Sequence, residues 1–109
     1  MRVIAWKTLR VFGDRHRQAR VPLRAWYTIT RHAAWRNPAD VRKTFNTADF
    51  VGSRVVFDIK GNDYRLVTEV DYRRFLVFII WVGTHTAYDR INVRTVKYAP
   101  PHQSDTDPQ

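Results

Sequence analysis

The apolar side chains change their spacing at Gly52, and this constrains the fold more than any other feature of the chain. Before Gly52 they recur every three or four residues, the period of a helix. After it they recur every second residue, the period of a strand. Upstream, Leu9, Phe12 and His16 follow Thr8, a residue suited to capping a helix N-terminus. Pro22 fits a first helical turn. Leu23, Trp26, Tyr27, Ala33 and Ala34 then form a stripe that predicts a second helix ending near Trp35. Asn37-Pro38 pairs a capping residue with a proline at the first helical position, and opens a short third helix with Val41 and Phe45 on one face. A short strand from Val3 to Trp6 precedes all three.

Downstream, Val55, Phe57 and Ile59 alternate with Val56, Asp58 and Lys60. Gly61-Asn62 offers two residues that tolerate positive φ, so a tight hairpin is expected there. The chain returns from Tyr64 to Asp71 with Tyr64, Leu66, Thr68 and Val70 on one face, and turns again around Tyr72 to Arg74. The run from Phe75 to Val82 is apolar on both faces, as for a central strand covered on both sides. Beyond Asn92, Val93, Thr95, Val96 and Tyr98 suit either a last strand or a loose extension. Helices first and a meander after define an α+β domain. Its N-terminal helices should pack on one face of a mainly antiparallel sheet of three to five strands. One domain over residues 1–98 is expected, and a disordered tail over 99–109, which has no apolar side chain after Ala99.

Charge narrows the function. Lys and Arg number 19 against 10 Asp and Glu, a formal net charge of +9, and Arg far outnumbers Lys. Such a surplus on one small domain favours a nucleic acid or an acidic protein partner over a merely solvated surface. The absence of cysteine excludes disulfides and thiolate metal sites. The four histidines, His16, His32, His85 and His102, do not sit at paired-ligand spacing, and the acids are scattered, so neither metal nor cofactor is expected. No secretory signal is visible, and the run from Phe75 to Gly83 is about half of what a membrane helix needs. A cytoplasmic protein is expected.

The residues with chemistry to offer gather around the strands. Lys60 lies at the first hairpin, Arg65 on the outward face of the next strand, and Arg73-Arg74 in the second turn. His85 follows Gly83-Thr84 at the exit of the central strand, with Tyr88, Asp89 and Arg90 just after. This set suits RNA cleavage without a metal. A base takes the ribose 2′-OH proton, the oxygen attacks phosphorus, an acid protonates the 5′-oxygen, and cations steady the phosphoryl charge. Each residue also has an ordinary structural role open to it: a hydrogen-bonding His at a strand end, a half-buried packing Tyr, a solvated Arg pair. Trp6, Trp26, Trp35 and Trp81 read as core.

On the residues alone the chain is a basic α+β domain directed to RNA. Three runs carry a resemblance further: Val55 to Leu66 with its Gly-Asn-x-Tyr-Arg, Asp71 to Arg74, and Val82 to Asn92 with its Gly-Thr-His-x-x-Tyr-Asp. Together they resemble the HigB-type toxins of the RelE-like group of type II toxin–antitoxin systems. Leu9, Phe12, His16, Trp26, the stretch from Trp35 to Val41, Phe45 and Ala48-Asp49 fit the same likeness. The resemblance implies a RelE-like fold and a metal-independent mRNA interferase that cuts messages on translating ribosomes and so inhibits translation. It also implies a helix-turn-helix HigA-type antitoxin as partner. Carried over by position, His85 and Tyr88 would be the acid–base candidates, and Lys60, Arg65, Arg73 and Arg74 would bind RNA or steady phosphate. Arg65 is expected in the catalytic set through that phosphate contact, and Arg90, beside Tyr88, among the RNA-binding residues. Asp58 and Asp63 depart from the pattern by adding acid beside the RNA face. Two alternatives stand beside the enzyme: a non-enzymatic basic module that blocks RNA or the ribosome, and a protein whose basic face only clasps an acidic partner.

Overall fold

The computed structural model describes residues 1–97. The tail expected over 99–109, and Tyr98 at the end of the last expected strand, lie outside the described residues. The order is β1 (Arg2–Ile4), α1 (Trp6–Arg15), α2 (Arg17–Arg31), α3 (Pro38–Thr44), β2 (Asp49–Val51), β3 (Arg54–Ile59), β4 (Tyr64–Asp71), β5 (Leu76–Thr84) and α4 (His85–Tyr88). Five strands form one sheet in the order β1-β5-β4-β3-β2. β2 to β5 are an antiparallel meander, and β1 joins the edge parallel to β5. The α+β architecture, with N-terminal helices on a mainly antiparallel sheet, is the one expected from the change of period.

The core lies between the helices and one sheet face. Val55, Phe57 and Ile59 of β3 share it with Leu66 of β4, Val77 and Ile79 of β5, and Leu9, Leu23, Trp26 and Val41 from the helices. Phe57 is its aromatic hub, with ring centroids 5.3 Å from Trp26, 6.0 Å from Trp35 and 5.3 Å from Phe45. The other sheet face is where charge gathers. Cross-strand partners share a face, so Arg54, Val56 and Asp58 of β3 stand there with Glu69, Val67 and Arg65 of β4.

Several local expectations are corrected. Thr8 lies inside α1, which begins at Trp6 behind Ala5. α2 begins at Arg17, leaving Pro22 inside the helix rather than in its first turn. The reason is Ala19, which is fully buried and extends the stripe of Leu23, Trp26 and Thr30 upstream of the proline. α2 ends at Arg31; Trp35 reaches the core from the following loop, where its Nε1 donates to Thr44 Oγ1 at 3.0 Å. The hairpin places positive φ at Lys60 (54°) and Gly61 (61°), not at Asn62, whose side chain is engaged with Arg65.

β5 is not covered on both sides. Val77 and Ile79 are buried towards the helices, whereas Phe78 and Ile80 are only half-buried. A bulge sets Ile80 between Trp81, which pairs with Val67, and Ile79, which pairs with Thr68. Trp81 therefore stands half-buried on the charged face instead of in the helix-side core. Among the described residues, 92–97 form no strand. This segment is tied to the charged face by Arg54 Nη1, which donates to Val96 O at 2.6 Å.

Candidate functional site

Arg65 is the centre of the charged face. It stands opposite Asp58 across the β3–β4 ladder, and its Nε donates to Asp58 Oδ1 at 3.2 Å. Its Nη1 donates to Asn62 O at 3.1 Å and to Tyr64 O at 3.3 Å, and its Nη2 donates to Asn62 Oδ1. The side chain is 18% exposed, so the hairpin and Asp58 hold a cation in place while engaging most of its five N–H donors. Asp58, a departure when read from the sequence, is the clamp on Arg65.

Tyr88 reaches this guanidinium from α4. Thr84 caps that single turn, its Oγ1 accepting from Ala87 N at 3.1 Å. Arg65 Cζ lies 5.8 Å from the Tyr88 ring centroid, within cation–π range. Behind Tyr88 lies Trp81, with centroids 6.2 Å apart and planes at 50°. The Trp81 indole in turn lies across Gly83. Burial pushes the Tyr88 phenol above its ordinary value; Asp49, Asp89 and Asp58 push the same way and Arg65 opposes them. Tyr88 thus keeps its proton at neutral pH and offers an O–H donor.

His85 opens α4. Its backbone N–H donates to Asp63 O at 3.0 Å, joining the start of α4 to the β3–β4 hairpin. Its side chain is exposed and has no hydrogen-bond partner among the described residues. It precedes Tyr88 by three residues in one helical turn, so the two side chains leave on neighbouring bearings.

The facing wall comes from α3 and the loop after it. Arg42 Nε donates to Ala48 O at 2.7 Å, and its Cζ lies 5.2 Å over the Phe50 ring. Arg42, Asn46, Asp49, Asp58, Arg65 and Tyr88 line a cleft of about 470 Å³. Asp49 has no ion pair or hydrogen bond from its side chain among the described residues. The cleft sets two guanidinium groups, two carboxylates and a protonated phenol around a space suited to one nucleotide-sized group. Among the described residues, no three His, Asp or Glu side chains gather as a metal site.

The structure thus brings Arg65 and Tyr88 together, with His85 on the same turn as Tyr88. Lys60 is nearby but engaged at the hairpin, its Nζ bridging Gln18 Oε1 at 3.1 Å and Asp63 Oδ2 at 3.0 Å. Arg90 is exposed just past α4. Arg73 and Arg74 lie elsewhere, in the β4–β5 turn, with both backbone N–H groups on Asp71 Oδ1 at 3.1 Å. At about 3.3 Å per strand residue, β4 separates that turn from Arg65 by about 20 Å. Sequence reasoning missed Arg42, Asn46 and Asp49, which no spacing signal marks. Asp58 could have been paired with Arg65 from the hairpin register alone.

A basic α+β domain thus carries a shallow cleft at whose rim a fixed arginine meets a protonated phenol. Comparison with known families gives the class: the model of the HigB toxin, the RelE-like toxic component of a toxin–antitoxin system, matches residues 19–91. The chain belongs to this family, and is the toxin of a toxin–antitoxin pair with an antitoxin as partner. Every residue lining the cleft falls inside the matched segment. No curated protein matches the chain. Among the described residues no helix is long and apolar enough to cross a membrane.

Proposed function

We propose that the chain is a metal-independent endoribonuclease that cuts messenger RNA on the translating ribosome of a bacterial cytoplasm. The observation that carries this reading is the Arg65–Tyr88 contact, locked by Asp58 at the rim of the cleft. The scissile phosphate sits against Arg65, whose charge and remaining Nη2 N–H steady a phosphoryl oxygen as charge builds on it. His85 takes the proton from the ribose 2′-OH, and the 2′-oxygen bonds to phosphorus as the bond to the 5′-oxygen breaks. Tyr88, which burial keeps protonated, gives its proton to the departing 5′-oxygen. An alkoxide is a far stronger base than a phenolate, so even a phenol with a raised pKa can protonate it.

Lys60 and Arg90 extend the positive surface beside the cleft, and Arg73-Arg74 make a distant contact for a longer strand. The toxin domain spans residues 1–98, and the partner that silences it is a helix-turn-helix antitoxin of the HigA type. The test is to induce the chain from a tightly repressed promoter and map new 5′ ends on cellular mRNA, beside Arg65→Ala and His85→Ala. New ends within translated codons, lost in both folded variants, are expected. Growth arrest with no new ends would replace the enzyme with a non-enzymatic block.

A further inference from the structure

We propose that the outer face of α2 docks an acidic, amphipathic helix of the antitoxin. The inference rests on membership of the toxin family, not on the ribonuclease chemistry. The inner face of α2 buries Ala19, Leu23, Trp26 and Thr30. On the opposite face Val21 is 77% exposed and Ile29 46%, with exposed Ala25 midway between them. Residues at i, i+4 and i+8 form one straight ridge, the unit by which one helix packs on another. Single exposed apolar residues are ordinary, but a ridge over two turns is a contact surface.

Charge selects the occupant. α2 contains Arg17, Arg20, Arg24 and Arg31 and no acidic residue, and helical spacing puts all four on the α1 side of the ridge. None of the four has an ion-pair partner among the described residues. Arg24 Cζ lies 5.4 Å over Trp6 and Arg31 Cζ 5.5 Å over Tyr27, so two of these side chains are already held in position. A partner helix with apolar residues on one face and carboxylates along one flank satisfies ridge and row together. RNA would use the arginines but gain nothing from Val21 and Ile29. A second copy docking through its own α2 would bring another basic row and no acid. The sequence after Ala99 has no apolar side chain to set against the ridge.

The ridge and the cleft lie on opposite faces of the sheet. A helix docked on α2 therefore leaves Arg65 and Tyr88 open, and serves to hold the partner rather than to plug the site. The probe is a synthetic helical peptide with leucines along one face and glutamates on one flank, titrated against the purified full chain. Saturable binding is expected, with slowed hydrogen exchange along α2. Val21→Asp/Ile29→Asp should weaken it at least about tenfold while the thermal melt stays unchanged. Arg24→Glu should weaken it as well, and a scrambled peptide of the same composition should not bind. Equal binding by the scrambled peptide, or by the double variant, would overturn the proposal. So would a chain that sediments alone as a dimer broken by Val21→Asp/Ile29→Asp, or an RNA oligonucleotide whose binding that variant abolishes. Because the readout is peptide binding, its failure is distinct from any failure of RNA cleavage.

Discussion

A Cβ on residue 83 would sit 2.4 Å from Trp81 Cη2 and 2.6 Å from Trp81 Cζ2, closer than carbon atoms approach. The indole would have to move, and Tyr88 rests on it. Gly83→Ala is therefore expected to lower stability by about 1–3 kcal/mol in a thermal melt, the usual scale for overpacking, and to reduce growth arrest. In the proposed site Arg65 acts through its shape as much as its charge, since one side chain reaches Asp58, the Asn62 turn and the Tyr88 ring. Lys cannot span all three. Arg65→Lys should abolish growth arrest as Arg65→Ala does, with melts showing both variants folded; full toxicity of the folded Lys variant would contradict the site. The Tyr88 phenol has a pH consequence. Its pKa is raised in the folded state, chiefly by burial, and burial raises that of Tyr72 too. Each favours the fold fully below its unfolded value of about 10, and that stability falls as pH rises through the folded value. Melting temperatures should drop above about pH 10, less so in Tyr88→Phe.

At the level of elements, α3 shows how a local signal becomes part of the site. Asn37 Oδ1 accepts from Asp40 N at 2.9 Å, and Asp40 Oδ2 accepts from Arg36 N at 2.9 Å, fixing the first turn. Asn37→Ala should cost about 1 kcal/mol in denaturant unfolding. It should also loosen the wall carrying Arg42 and Asp49, because α3 leads directly into that loop. This helix was legible in the sequence because its start depends on adjacent residues, Asn37 and Pro38. The β3–β4 hairpin was legible too, since alternation and a short turn fix its register. The start of α2 was not, because Ala19 declares itself only through burial. The outward turn of Trp81 was equally hidden, because it depends on a bulge at Ile80 that no periodicity reveals. The cleft divides in the same way. Arg65 and Tyr88 lie on strand and turn signals, whereas Arg42, Asn46 and Asp49 are gathered only when α3 and β2 pack beside β3.

Across the whole molecule the net charge of +9 is unevenly spread. From Trp6 to His32 there are seven Lys and Arg and one Asp, whereas the cleft mixes two arginines with two carboxylates. In the proposed function, attraction to RNA is thus a property of the surface, and the cleft supplies orientation. RNA binding by the purified chain should weaken steeply with salt, as counterion release requires. Tyr88→Phe should leave that slope unchanged, since it removes no cation. The most direct test of the endoribonuclease reading is a defined message translated in a purified system and analysed by primer extension and end-group chemistry, with wild type beside Arg65→Ala and Tyr88→Phe. New 2′,3′-cyclic phosphate and 5′-hydroxyl ends inside the reading frame, from wild type only, are the expected result. Stalled ribosomes on uncut message would contradict it.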